Sequence, residues 1–152
     1  MATALANRLR RLEAIREAAN RLMNRPQLQR DIFPRGNPEA IAEIRQAFEN
    51  SGGDPRMAAA LGYTYAVSGR RADAEKILMQ LAEQSKHRYV APYDIAAVHI
   101  GLGNKSQAFD YLERAFDDHS SWLIFMRADP RFDSIRSDPR YQELLRRMHL
   151  IP

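Results

Sequence analysis

One pattern is written twice in this chain at a fixed offset. Leu61-Gly62 is followed by Tyr65, Gly69, Ala74 and Leu78, and 34 residues later the same places hold Ile95-Ala96, His99, Gly103, Ala108 and Leu112. Gly62, Ala74, Ala96 and Ala108 are small residues on apolar helical faces, where two helices of a hairpin approach closely and larger side chains would push them apart. Around them Leu61, Tyr65, Leu78 and Leu81, then Ile95, Ile100, Leu112 and Phe116, recur at helical spacings and supply a core stripe. Gly69 and Gly103 come just past the last apolar residue of each first helix, where a left-handed backbone is wanted. They read as helix stops, not as phosphate-binding glycines.

The period, with its small residue after Leu61 and its aromatic at Tyr65, resembles the tetratricopeptide repeat. That resemblance implies an all-α solenoid of helix-turn-helix units in a right-handed superhelix. Complete repeats are expected over residues 55–88 and 89–122, with a C-terminal helical cap over 123–152. The last ninety or so residues narrow the likeness. Ala66-Val67-Ser68-Gly69-Arg70, Tyr89-Val90-Ala91-Pro92-Tyr93-Asp94, Trp122-Leu123 and two Asp-Pro-Arg-aromatic boxes resemble the repeat tail of bacterial signalling proteins. In that group the repeats follow a winged-helix DNA-binding domain, a serine/threonine kinase or a nucleotide cyclase. The first fifty residues show no such signature, so the chain reads as a freestanding repeat protein or a piece of a larger regulator.

The remaining chain fits around these units as one domain of 152 residues, long enough to bury a sizeable core. Leu5, Leu9, Leu12, Ile15 and Leu22 predict an amphipathic helix over 4–24 within a basic N-terminal region, 1–35. Glu13 and Glu17, with no serine before Ser51, argue against a mitochondrial presequence. Pro26, Pro34 and Gly36 break the chain, and Asn37 with Pro38 signals the next helix start. Ala40, Ile44 and Ala47 lie 34 residues before Ala74, Leu78 and Leu81, so 36–54 is expected to be a half repeat. Ser121 is expected to cap a short apolar helix of Trp122 to Met126. In Asp129-Pro130-Arg131-Phe132 and Asp138-Pro139-Arg140-Tyr141, Asp is a good N-cap and Pro a good first helical residue. Both boxes read as helix starts. The last helix, 139–149, sets Tyr141, Leu144, Leu145 and Met148 inward.

The net charge of +4 is uneven. Residues 1–35 hold eight Arg against three acids, while 36–118 hold nine basic against twelve acidic residues. The chain lacks cysteine, which removes disulfides and thiolate chemistry, and no apolar run is long enough to span a membrane; a cytoplasmic location is expected. His87, His99, His119 and His149 form no metal-binding spacing, and no nucleophile elbow, P-loop or dinucleotide fingerprint occurs. His99, standing where Tyr65 stands one repeat earlier, is expected to be a hydrogen-bonded packing residue. The reading is therefore of a non-enzymatic protein with no metal and no cofactor.

In a solenoid of hairpins the first helices line the concave face. By spacing that face comprises Arg56, Ala59, Tyr63, Ala66 and Val67, then Val90, Tyr93, Ala97 and Ile100. It is apolar and aromatic, suited to a peptide or a partner helix. Repeats that clamp chaperone C-terminal carboxylates carry Asn where this chain has Tyr63 and Ala97, which disfavours that ligand. Two alternatives stand beside the protein partner. In one the groove is a homo-oligomer interface, or is filled by residues 26–35. In the other, Arg8, Arg10, Arg11 and Arg25 bind nucleic acid or an anionic membrane surface.

Overall fold

The computed structural model describes residues 38–152, and every regular element among them is helical. The elements are α1 (Pro38–Asn50), α2 (Pro55–Val67), α3 (Arg71–Gln84), α4 (Pro92–Gly101), α5 (Lys105–Asp117), the 3₁₀ helices η1 (Ser121–Phe125) and η2 (Pro130–Ile135), and α6 (Pro139–Arg147). The readings for 4–24, for Arg8, Arg10, Arg11 and Arg25, for a groove filled by 26–35 and for Asn37 lie outside the described residues.

Helix starts follow local chemistry. Pro occupies the first turn of α2, α4, η2 and α6, where its missing N–H costs nothing. Asp54, Asp129 and Asp138 cap three of these, each side chain accepting from the backbone N–H two residues on. The cap expected at Ser121 falls instead at Ser120, whose side chain makes no capping bond, and Ser121 is the first residue of η1.

Four helix ends share one device. The residues two past the end of α2, α4, α5 and α6 are Gly69, Gly103, His119 and His149, all at positive φ. Beyond them Arg70, Asn104, Ser120 and Leu150 each donate a backbone N–H to the carbonyl five residues back, at 2.9 Å. This is the six-to-one bond of the Schellman motif. At two of the ends a histidine accepts the conformation that glycine takes without strain. That places the Asp117-Asp118-His119 cluster at a helix end, with His119 Nδ1 2.8 Å from the Asp117 carbonyl oxygen.

Helices α2 and α3 pair, α4 and α5 pair, and α2 packs against α4. A Cβ on Gly62 would come within 2.8 Å of Ile77, and one on Gly101 within 2.9 Å of Ala66 and 3.0 Å of Tyr63. Gly62 therefore sets the α2–α3 approach, as its place in the pattern predicts. Gly101, the last residue of α4, lets that helix close on α2.

Two apolar clusters result. One joins α1 to α4 through Ile44, Ala58, Leu61, Ala74, Leu81 and Val98. The other gathers Tyr63, Tyr93, Ile100, Leu112, Phe132 and Tyr141, so α2, α4 and α5 share a core with the C-terminal segment. Among the described residues no helix is long and apolar enough to cross a membrane.

Candidate functional site

The face predicted from spacing is closed by the chain itself. Tyr63, Tyr93, Ala97 and Ile100 are buried in one cluster with Leu123, Met126, Phe132 and Ile135 of the C-terminal segment. Ala59 and Val90 are buried in the other cluster. Ala66 and Val67 are half-buried, and Arg56 alone of the nine is exposed. The structure thus brings Tyr63, Tyr93, Ala97 and Ile100 together, but as core and not as an open groove. The physical reason is the run Trp122 to Met126. Wound as a 3₁₀ helix, it places residues three apart on one side, so Leu123 and Met126 turn inward while Ile124 and Phe125 face solvent.

Charges follow the apolar residues into this junction. The Asp129 carboxylate caps η2 through the Arg131 backbone N–H at 3.0 Å. It also accepts from Arg131 Nε at 3.0 Å and Nη2 at 2.7 Å. The Tyr93 hydroxyl donates to its Oδ2 at 2.9 Å, and the Tyr93 ring stacks on Phe132 with centroids 4.9 Å apart. Burial alone would raise the Asp129 pKa, but the charge and hydrogen bonds of Arg131 outweigh it and hold the carboxyl below its usual range. Burial, reinforced by Asp129, pushes the Tyr93 phenol far up, and burial pushes Tyr63 up to about 12.

Asp94 lies at the edge of this group, its pKa raised by burial against the pull of Arg131 and Arg56. Arg56 Nε stands 4.0 Å from Asp94 Oδ2. Its guanidinium lies over the Trp122 ring, 3.8 Å from the centroid, and Trp122 meets Phe125 at 5.7 Å. An open cavity of about 320 Å³ is lined by Pro38, Ile41, Ala42, Arg45, Ser68 and Arg70. Both its arginines are engaged, Arg45 donating to the Tyr65 hydroxyl and Arg70 to Asp73.

His99 packs as expected but is held differently. Its ring stacks on Tyr111 at 5.4 Å, while Nδ1 is buried with no hydrogen-bond partner among the described residues. Burial lowers its pKa. No group of three or more acidic or histidine side chains among the described residues is placed to hold a metal.

What this arrangement does chemically is fasten one segment to another, since Asp129, Arg131 and Tyr93 satisfy each other. Comparison with family models, curated proteins and solved structures finds no match for this chain.

Proposed function

We propose that the chain is a non-catalytic protein-interaction module, in which the two hairpins act as tetratricopeptide-type repeats of a short regulatory solenoid. One observation carries this reading: of the large hydrophobic side chains exposed among the described residues, Met79, Tyr89, Ile124 and Phe125, the last two stand on adjacent residues, 58% and 50% exposed. Contiguous exposed apolar surface is what marks an interaction site, and these two side chains continue through Phe125 to the Trp122 ring 5.7 Å away. The partner surface lies outside the face formed by Tyr63 and Tyr93, which the chain's own η1 and η2 occupy.

The test is photo-crosslinking of the full chain in its native cells, with the reactive side chain at Phe125. A reproducible one-to-one product with another protein is the expected result. If the chain instead yields no adduct, while a DNA duplex binds it with affinity that falls steeply with salt, the arginine-rich N-terminal reading replaces this one.

A further inference from the structure

Arginines laid on aromatic rings recur in this fold, and most of them are also occupied. Arg70, Arg131, Arg140 and Arg147 each cover a ring and at the same time donate to a carboxylate at 3.0 Å or less. Arg56 differs. It stacks on Trp122 at 3.8 Å, yet its nearest carboxylate, Asp94, lies at 4.0 Å, beyond hydrogen-bonding reach. Half of the Arg56 side chain is in solvent, against 11% of Asp94, so the accessible charge at this place is the cation. Asp94 meanwhile feels the charge of Arg131 as well.

Stacking matters for what the guanidinium can accept. A guanidinium held over an indole still has its N–H donors to offer, and a carboxylate takes two of them in a bidentate pair. Trp122 then carries the surface on to Phe125 at 5.7 Å, with Ile124 exposed beside it. A ring-stacked cation thus sits next to two uncovered apolar side chains. A nucleic-acid backbone asks for a row of such cations, and the group Arg56, Trp122, Ile124 and Phe125 contains one.

Building on the interaction-module reading, we infer that Arg56, Trp122, Ile124 and Phe125 receive an acidic-apolar segment of a partner protein. A Glu or Asp side chain of the partner pairs with Arg56, and an adjacent apolar side chain covers Phe125. Charge complementarity selects this occupant over a wholly apolar one, because covering Arg56 without a carboxylate would strand its donors.

The experiment uses the full chain and a fluorescein-labelled peptide alternating Leu and Glu, with a Leu-Gln peptide of the same length as control. Fluorescence anisotropy should show the Leu-Glu peptide binding about tenfold tighter than the control, a difference of about 1.4 kcal/mol. Arg56→Gln should erase that preference, and Phe125→Ser should weaken both peptides; circular dichroism confirms that both variants stay folded. Equal binding of the two peptides, or a preference that survives Arg56→Gln, overturns the inference. So does failure of wild type to bind the Leu-Glu peptide, and so does a light-scattering dimer abolished by Phe125→Ser, which would assign the surface to a second copy. A protein partner crosslinked at position 125 despite these negatives would leave the module reading standing and overturn the acidic-apolar occupant assigned to it.

Discussion

Asp129-Pro130-Arg131-Phe132 and Asp138-Pro139-Arg140-Tyr141 are one local structure in two settings. In both, Asp accepts the backbone N–H of the arginine, Pro opens the helix, and the guanidinium folds back on the same carboxylate. In both, the aromatic residue is buried. The difference lies in what surrounds the ion pair. Arg131 and Asp129 are 18% and 13% exposed, and Asp129 accepts from the hydroxyl of Tyr93, 36 residues away in α4. Arg140 and Asp138 are 50% and 18% exposed, and Arg140 covers the Phe109 ring at 4.1 Å where Arg131 lies 5.8 Å from that of Tyr93. Local sequence therefore decides the motif, while tertiary placement decides whether the motif matters to stability. The first box ties the C-terminal segment to α4; the second mainly starts a helix.

The largest effect should come from breaking the buried pair on one side. Arg131→Ala leaves the Asp129 charge in the junction with only Tyr93 and a backbone N–H, and should cost about 3–5 kcal/mol by denaturant unfolding. A loss under 1 kcal/mol would show that the two boxes are equivalent. The same contrast appears with pH. The Asp129 pKa is lowered in the folded state, so its stabilisation is complete above the ordinary carboxylate range and is lost as pH falls through the depressed value. Asp129→Asn should therefore flatten the acid limb of the stability curve below about pH 4. His99 works in the same direction at higher pH. Its lowered pKa means that stability declines as pH falls below about 6.5, because the unfolded chain takes up the proton more readily. His99→Gln should remove that limb alone.

Much of this fold is legible in the sequence, for reasons the two boxes illustrate. The hairpins rest on an offset of 34 residues that carries helix stops, small residues and apolar stripes together, and Gly69 and Gly103 do take the left-handed conformation. Both Asp-Pro starts are legible because N-capping is a matter of neighbours in sequence. The inner face was not. Tyr63 and Tyr93 fall on the predicted side of their helices, but whether that side is groove or core depends on Trp122 to Met126, where five apolar residues in a row give no period. Nor does anything local distinguish Arg131 from Arg140. The burial of one follows from Tyr93 and Phe132 meeting across the chain, which spacing does not encode. His119 and His149 were equally hidden, since they do at helix ends what glycine does at the others.

Two milder substitutions sharpen the comparison further. Tyr93→Phe keeps the stack on Phe132 and removes only the hydroxyl donated to Asp129, so it isolates the link between box and hairpin. A hydrogen bond to a charged acceptor in a partly buried place should be worth about 1.5 kcal/mol, read as a lower denaturant midpoint at unchanged slope. Arg140→Ala should do least. Its pair with Asp138 is screened by water, and the Asp138 carboxylate keeps the Arg140 backbone N–H whatever side chain position 140 carries. The expected result is a melting curve close to wild type at low salt and superimposable on it at high salt. A drop rivalling that of Arg131→Ala would mean that the contact of Arg140 with the Phe109 ring, and not the ion pair, carries the energy of the second box. In that case Arg140→Met, which keeps the apolar cover and loses the charge, should restore the wild-type curve.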